Sequence, residues 1–327
     1  MTIKIGVHGA NPSLYLLSRL GLLEPALEKL GETVEWVPVQ GTRVAELLGT
    51  GAIDFSGTGS TPPIAGQAAD HDIVYTAVSA PRPEHGALLV AADGPVRSAA
   101  DLRGGTIVLA VGSWQTHFVA KALHRAGLAY GRDITAERPP AAPVSSGDTA
   151  RRLRDGEIAG WVAQGAELSA ALRDPAFRVL LKAREIITDR SVFFARRDLV
   201  ENRPDVVATL TRALQEADNW AAAHIAEAAR VHADDQGGTA EDWHRALADL
   251  PWRLEPVSDA FIAEQQEAAD IFAEHGYIPR RVVVADARVA SIEPTVAEAL
   301  AGAGTALTTS AAAGIEVPAL PDRAIPS

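Results

Sequence analysis

The segment Thr106–Gly127 has the signature of a strand, a tight turn and a helix in succession. Thr106–Val111 is an apolar, β-branched run that predicts a buried strand, and Gly112 and Ser113 interrupt it. Apolar residues then recur at helical spacing up to Gly127, which ends the helix. The backbone N–H groups at the start of such a helix point out of the carboxyl edge of the sheet and favour an anion. Ser113 therefore either caps its own helix only or also contributes to an anion site.

A second segment has the same design. Ala52–Ser56 predicts a strand, the polar turn Gly57–Pro63 follows, and the chain continues as an apolar helix. Ser60 or Thr61 stands where a helix N-cap is expected, with Pro62 near the first helical position. Two turns of this kind in one chain predict a shared anion-binding cleft.

Strands and helices alternate along the first two thirds of the chain. The further predicted strands are Ile3–Val7, Thr33–Val39, Ile73–Val78, Ala87–Val90, Ile134–Glu137, Gly160–Val162, Arg178–Leu181 and Ser191–Ala195. The further predicted helices are Leu14–Leu23, Arg43–Leu48, Asp148–Arg154, Val206–Ala217 and Phe261–Phe272. This rhythm indicates an α/β fold with a mostly parallel sheet.

Two lobes are expected because 327 residues exceed what one compact core usually holds. The Pro-rich segment Pro81–His85 predicts a crossing from one lobe to the other, and Asp189–Ala195 predicts the return. Lobe 1 would then consist of residues 1–84 and 190–302, and lobe 2 of residues 85–189.

The composition excludes several classes of function. A net charge of −12 without a long basic run argues against binding to nucleic acid or to anionic membranes. The chain has no cysteine, so disulfides, thiolate catalysis and cysteine-based zinc sites are excluded. The sequence has no P-loop, complete GxGxxG, GxSxG or HExxH motif, and we expect no cofactor or metal. The sequence contains no run of about 20 apolar residues, which is the length that a membrane-spanning helix needs.

The two ends of the chain carry their own predictions. Met1–Ile5 runs directly into a strand, so no signal peptide is expected. As written, the sequence therefore predicts a cytoplasmic protein. If an export signal was trimmed, we expect an extracytoplasmic protein instead. Residues 303–327 are rich in Ala, Thr and Pro, which predicts a flexible tail. We also expect a monomer.

Seven short segments, in order along the chain, carry a family resemblance. They are Thr50–Phe55 (TGAIDF), Gly57–Pro63 (GTGSTPP), Ala87–Val90, Asp101–Gly104, Gly112–His117, Glu216–Trp220 and Glu264–Phe272. Together they resemble the substrate-binding proteins of ABC importers for aliphatic sulfonates, taurine and nitrate, in the NMT1/THI5-like superfamily. The resemblance implies a two-lobed periplasmic-binding-protein fold of type II, a cleft that closes on a small organic sulfonate or related oxyanion, and an ABC permease as partner.

The candidate ligand-binding residues stand at turns on the carboxyl edge of the predicted strands or at the return crossing. They are His8, Asn11, Gly59, Ser60, Thr61, Gly112, Ser113, Trp114, Gln115, Trp161, Gln164 and Arg190. N–H groups and hydroxyls of the two turns would satisfy the three oxygens of a sulfonate, and Trp114 and Trp161 would cover its organic part. The two tryptophans are alternatively core residues. His8 is alternatively a buried structural histidine, and Arg190 a solvated loop residue.

An enzyme on the same fold is the alternative function. The superfamily that the chain resembles includes a sulfinate desulfinase and a pyrimidine-forming thiamin enzyme, but both rely on cysteine, which this chain lacks. An enzyme would need His8, His85 or His117 as its base, with no obvious nucleophile. A cytoplasmic sensor would use the same site. We favour the import receptor over an enzyme or a sensor.

Overall fold

The computed structural model describes residues 1–140 and 145–310. Its strands are β1 (Thr2–Val7), β2 (Thr33–Pro38), β3 (Phe55–Thr58), β4 (Ile73–Ser79), β5 (Gly86–Ala91), β6 (Thr106–Val108), β7 (Thr135–Glu137), β8 (Gly160–Gln164), β9 (Phe177–Lys182), β10 (Val192–Arg196) and β11 (Leu254–Glu255). Its helices are α1 (Pro12–Leu20), α2 (Leu23–Glu28), α3 (Val44–Gly49), α4 (Thr61–Ala68), α5 (Trp114–Arg125), α6 (Ser145–Arg154), α7 (Gly165–Ala171), α8 (Arg197–Asn202), α9 (Pro204–Ala223), α10 (Ile225–Gln236), α11 (Ala240–Ala248), α12 (Asp259–Glu274) and α13 (Glu293–Ser310). The predicted alternation of strands and helices is confirmed, and the part that follows β10 is mainly helical.

The strands form two mixed sheets. The first has the order β11-β4-β10-β3-β1-β2 and the second the order β7-β6-β8-β5-β9. β1 pairs in parallel with β2 and β3, and β6 pairs in parallel with β7 and β8. β10 lies antiparallel between β3 and β4, and β5 lies antiparallel between β8 and β9. The prediction of a mostly parallel sheet is wrong. β5 and β10 are antiparallel to their neighbours because each has just crossed from the other sheet and enters from the opposite direction, and β11 pairs antiparallel with β4.

Two crossing segments join the sheets. Residues 80–85 connect β4 to β5, and residues 183–191 connect β9 to β10. Strands β1 to β4, β10 and β11 belong to the first sheet, and β5 to β9 belong to the second. This division follows the crossings expected near residues 81–85 and 189–195, and the lobe boundaries drawn from it remain a prediction.

A buried ion pair holds the two crossings together. Arg82 Nη2 donates to Asp189 Oδ1 at 2.7 Å, and His85 Nδ1 lies 2.7 Å from Asp189 Oδ2. Arg82 Nη1 also donates to Ser191 Oγ at 3.1 Å. Burial by itself would raise the pKa of Asp189, but the charge of Arg82 and the contacts with His85 hold it below its usual range. Removing one partner of such a pair costs about 3–5 kcal/mol, so this network firmly positions both crossings.

The two sheets share one apolar core. Its main cluster includes Ile64 and Tyr75 from the side of the first sheet and Leu88 and Phe118 from the side of the second. Burial of a side chain of this size contributes roughly 1.5–3 kcal/mol. The core therefore holds α4 and α5, one from each predicted lobe, against each other.

Two strand boundaries differ from the prediction because the backbone bonds locally instead. The predicted strand Ala52–Ser56 begins later, as β3, since the Ala52 N–H donates to Leu47 O at the end of α3. The predicted strand Thr106–Val111 ends earlier, as β6, since the Val111 N–H donates to Leu109 O in a turn.

The C-terminal part also departs from the prediction. Helix α13 extends to Ser310, so the beginning of the predicted flexible tail, residues 303–327, is helical. Residues 311–327 lie outside the described residues. Among the described helices, none is long and apolar enough to cross a membrane.

Candidate ligand-binding site

The turns that precede α4 and α5 touch each other at Gly59 and Trp114. A Cβ atom on Gly59 would lie 2.6 Å from Trp114 Cβ and 3.0 Å from the Trp114 backbone N. Real Cβ atoms do not come this close to their neighbours, so a residue without a side chain is required at this position. The fold therefore brings together the two turns that the sequence singles out, one from each sheet.

The turn before α5 is built around its own backbone. Ser113 is the N-cap of α5, and its Oγ accepts a hydrogen bond from the Gln115 N–H at 3.1 Å. Gly112 has a φ of +93°, which only glycine adopts without strain, and its N–H donates to Thr116 Oγ1 at 2.9 Å. The capping role of Ser113 is thus present in the structure, and its contact with a ligand remains a proposal.

Ser60 does not cap α4. It stands at the N-cap position with helical backbone angles, and its Oγ lies 2.9 Å from His117 Nδ1 on α5 instead. Pro62 and Pro63 have no N–H groups, so the first turn of α4 offers few amide donors. Thr61 Oγ1 is buried and has no hydrogen-bond partner among the described residues. The expectation of a side-chain cap at Ser60 or Thr61 is therefore wrong, because Ser60 is engaged by the neighbouring helix.

Trp114 and Gln164 are joined by a hydrogen bond beside the place where the two turns meet. Trp114 is 4% exposed, and its Nε1 donates to Gln164 Oε1 at 2.7 Å. Gln115 Nε2 donates to the same oxygen at 3.1 Å. Both lone pairs of Gln164 Oε1 are then used, which orients its amide and leaves the NH2 group available to another acceptor. Gly86 lies directly against the indole, where a Cβ atom would be 2.2 Å from Trp114 Cη2.

Trp161 does not lie beside Trp114. The alternation of side chains along β8 directs Val162 towards the main core, whereas Trp161 belongs to the separate cluster on the opposite face of the second sheet. Its ring packs edge to face on Phe177 at 6.1 Å. This position corrects the expectation that Trp161 covers a ligand together with Trp114, and it matches the alternative of a core residue.

His8 and Asn11 lie against the end of β3. His8 Nε2 is 2.9 Å from Gly57 O, and burial lowers the pKa of His8, so its ring is neutral at pH 7. Asn11 caps α1, because its Oδ1 accepts from the Leu14 N–H at 3.2 Å. Asn11 Nδ2 is buried and has no partner among the described residues. Asn11 Nδ2 lies next to Gly57, where a Cβ atom would be 2.6 Å away, and Gly57 precedes Gly59 by two residues. This unsatisfied donor makes Asn11 a candidate for contact with an acceptor.

Arg190 does not supply an uncompensated charge. Its Nη1 donates to Glu255 Oε2 and to Ser79 O, each at 2.6 Å. The guanidinium is therefore neutralised within the first sheet. This pairing corrects the expectation that Arg190 provides a charge for the ligand, and it also differs from the alternative of a solvated loop residue.

His117 also belongs to this region, although the sequence suggested it only as a possible catalytic base. It is 2% exposed, and burial together with the charge of Lys121 lowers the pKa of His117 to about 3. Its position four residues after Ser113 places it one turn further along α5, on a similar side of the helix. That spacing is the only sequence signal for its contact with Ser60, because the partner lies 57 residues away.

His124, Glu274 and His275 bring their ligand atoms within 4.8 Å of one another, a geometry compatible with a metal ion. The Tyr130 N–H, however, donates to His275 Nδ1 at 3.2 Å. A neutral His275 then carries its proton on Nε2, the atom that faces His124. Metal-binding histidines normally donate from their second nitrogen to an acceptor, so this group is not arranged as a metal centre.

The chain matches the model of the NMT1/THI5-like family over residues 31–228. The alkanesulfonate-binding protein SsuA from Xanthomonas axonopodis pv. citri, in a structure bound to MOPS, is 27% identical, with a TM-score of 0.75 and coverage of 88% of this chain and 98% of that chain. The periplasmic aliphatic sulphonate binding protein SsuA from Escherichia coli is also 27% identical, with a TM-score of 0.76 and coverage of 87% of this chain and 91% of that chain.

The desulfurization enzyme DszB is similar at 15% identity, with a TM-score of 0.63 and coverage of 91% of this chain and 99% of that chain. At this identity the likeness concerns the fold alone. The comparisons confirm the periplasmic-binding-protein fold that the sequence motifs imply. Because the family match spans more than half of its residues, the chain belongs to the NMT1/THI5-like family.

Proposed function

We propose that this chain is the substrate-binding protein of an ABC importer and captures a small organic sulfonate or a related oxyanion. Two similar structures, each covering most of both chains, are sulfonate-binding proteins. One of them is bound to MOPS, which is itself an organic sulfonate. The ligand would lie where the turns that precede α4 and α5 meet.

The contact between Gly59 and Trp114 is the observation that carries this proposal. It brings the start of α4 against the start of α5, and the two helices flank different sheets. A helix N-terminus carries the equivalent of about half a positive charge, so an anion beside both turns is attracted by both helices. A ligand held in this way favours the arrangement in which the two turns are close. Lobe 1 (residues 1–84 and 190–302) and lobe 2 (residues 85–189) would then close on the ligand.

The side chains around the turns supply donors rather than proton acceptors. Ser113 Oγ accepts from the Gln115 N–H, and its own proton remains available for a ligand oxygen. The NH2 group of Gln164 and the unsatisfied Nδ2 of Asn11 are further donors. A sulfonate is fully ionised at neutral pH and offers three acceptor oxygens, so it fits a site of this kind without a general base.

The partner would be an ABC permease that recognises the closed form. This role requires an extracytoplasmic location, and the periplasmic relative from Escherichia coli supports it. We expect the protein to act as a monomer, with one ligand per chain.

Titration calorimetry tests the proposal directly. The panel would contain MOPS, propanesulfonate, hexanesulfonate, benzenesulfonate and nitrate, with carboxylates of matched chain length as controls, in a phosphate buffer free of sulfonates. We expect one site per chain, a preference for sulfonates over the matched carboxylates, and no sulfite in the mixture after prolonged incubation. Absence of binding to every sulfonate, or release of sulfite over time, contradicts the proposal.

A further inference from the structure

Arg138 leaves the second sheet at the same edge as the turn before α5. Glu137, the last residue of β7, pairs with Val108, the last residue of β6, in a parallel ladder. The Leu109 N–H continues this pairing by donating to Glu137 O at 2.9 Å. Because β6 leads to Gly112 and β7 leads to Arg138, both residues stand at the carboxyl edge of adjacent strands.

Arg138 directly follows β7, and the alternation of side chains places it on the same side of the sheet as the main core, at the exposed edge. Glu137 points to the opposite side, where its two carboxylate oxygens accept from Arg152 at 2.6 and 2.9 Å. Ala136 packs against the main cluster, which contains Tyr130 and against which Tyr277 also packs. Arg138 follows Ala136 by two residues and therefore lies on its side of the strand.

The charge of Arg138 is not neutralised by the described residues around it. The carboxylate of Glu137 is already bound to Arg152, and Asp133 is bound to Arg103 at 2.6 Å. No carboxylate of the described residues lies within 4 Å of the Arg138 guanidinium, and its side chain is exposed. In contrast to Arg190, this arginine retains its charge for a partner from solution.

The phenol groups of Tyr130 and Tyr277 lie beside the turn that precedes α5. The rings of Tyr130 and Tyr277 pack edge to face at 5.6 Å, and a Cβ atom on Gly112 would lie 3.6 Å from Tyr277 Oη. Tyr130 is 4% exposed, and its hydroxyl is buried without a normal hydrogen bond to the described residues. The two phenols thus stand next to the turn before α5, and the Tyr130 hydroxyl remains free to donate to a ligand.

The electrostatics agree with this geometry. Burial raises the pKa of Tyr130 to about 12, and the Thr116 hydroxyl and the Arg138 charge counteract the increase. Burial likewise raises the pKa of Tyr277, and Thr116 and Arg138 again oppose the shift. Arg138 therefore acts on both phenols, although it is not adjacent to either in the sequence.

We propose that Arg138 is the cationic contact for the oxyanion of the ligand, with the hydroxyls of Tyr130 and Tyr277 as additional donors beside Gly112. The guanidinium presents paired N–H groups that match two oxygens of a sulfonate, and a phenol can donate to the third. This inference rests on the proposed function. It assigns the ionic part of ligand recognition to a residue that follows a strand, outside both helix-start turns.

Calorimetry on the wild type and on the variants Arg138→Gln and Arg138→Lys tests this inference, with MOPS and hexanesulfonate as probes and hexanesulfonamide as an uncharged comparison. We expect Arg138→Gln to weaken sulfonate binding at least tenfold, and Arg138→Lys to retain an intermediate affinity because it keeps the charge but loses the planar fork. Binding of the sulfonamide should change little. The control Arg132→Gln removes an exposed arginine near the same strand and should bind like the wild type.

Two further measurements distinguish the ionic contact of Arg138 from the hydrogen bonds of the two phenols. The affinity of the wild type for hexanesulfonate should fall with ionic strength, and Arg138→Gln should show a weaker dependence. Tyr130→Phe with Tyr277→Phe should weaken binding several-fold while the salt dependence is kept. If the wild type binds sulfonates and a folded Arg138→Gln binds them equally well, this inference is wrong while the proposed function stands. If the wild type binds no sulfonate, both are wrong.

Discussion

Ser60 Oγ lies 2.9 Å from Nδ1 of His117, and this contact joins α4 to α5 across the boundary between the two sheets. The His117 ring is buried, and its Nε2 has no partner among the described residues. Either neutral tautomer therefore leaves one ring nitrogen unsatisfied. The contact ties together the same two helix starts that meet at Gly59 and Trp114.

The burial of His117 predicts a dependence of stability on pH. An unfolded histidine takes up a proton near pH 6.5, whereas the pKa of His117 in the folded protein is about 3. The unfolded state binds more protons between these values, so the free energy of unfolding should fall as the pH falls from about 6.5 towards 3. The variant His117→Asn should show a smaller fall, measured by urea unfolding at several pH values.

The control for this prediction is His244→Asn, because His244 is exposed on α11. It should leave the pH dependence as in the wild type. Other buried histidines contribute to the slope of both proteins, so the relevant quantity is the difference between each variant and the wild type. Equal slopes for His117→Asn and the wild type would mean that the buried ring is not the group that resists protonation.

The variant Gly59→Ala should separate the two turns. Its Cβ atom would meet the Trp114 backbone, which cannot rotate away as the end of a flexible side chain can. We expect at least a tenfold loss of affinity for MOPS by calorimetry, with a smaller change in melting temperature. Gly147→Ala is the matched control, because nothing lies within 4 Å of a Cβ atom there. Gly147 lies in the first turn of α6, so this change should stabilise the protein by less than the ~1 kcal/mol typical of a helix interior and leave the affinity unchanged.

The variant Ser113→Ala should separate capping from ligand binding. Loss of an N-cap hydroxyl costs about 1 kcal/mol of stability, and loss of a charge-assisted hydrogen bond to the ligand costs a further 1.5–3 kcal/mol or so of binding free energy. The affinity for MOPS should then fall at least tenfold. Ser258→Ala removes the equivalent cap of α12, where Ser258 Oγ accepts from the Phe261 N–H. A similar loss of stability in both variants with no loss of affinity in either would assign Ser113 to capping alone.

The pairing of Arg173 with Asp242 should resist opening of the cleft. Arg173 lies just after α7, beside the second sheet, and its guanidinium binds both carboxylate oxygens of Asp242 on α11, with Nη2 and Oδ2 at 3.0 Å. Asp242 is buried, so this pair is stronger than a fully exposed one. We expect Arg173→Ala to increase the ligand-free radius of gyration in small-angle scattering and to speed ligand dissociation several-fold.

The matched control is Arg154→Ala, because Arg154 pairs with Asp174 at 2.6 Å within the predicted lobe 2 and does not bridge the lobes. It should leave both the scattering and the dissociation rate unchanged. If Arg173→Ala behaves like this control, α11 does not restrain the proposed closure.

The amino-acid sequence by itself determined the local units of this protein. The strand, turn and helix at Thr106–Gly127 and the N-cap at Ser113 follow from residues within a few positions of one another, because turn and capping preferences act over a single helical turn. The order of strands and helices could be predicted for the same reason. The family motifs, taken in sequence, were enough to indicate the fold.

Only the tertiary structure decided how these units meet. Ser60 is bound by a histidine 57 residues away, and Arg190 is neutralised by Glu255, 65 residues away. The sequence suggested the same ligand-covering role for Trp161 and Trp114. The alternation of side chains along β8, which pairs with β5, places Trp161 on the face of the second sheet opposite to the core that contains Trp114. Partners of this kind are brought together by sheet order and by the direction in which β5 and β10 cross, and no pattern of neighbouring residues encodes either. Local rules thus predicted the turns that precede α4 and α5, whereas long-range packing decided which side chains around these turns remain unpaired.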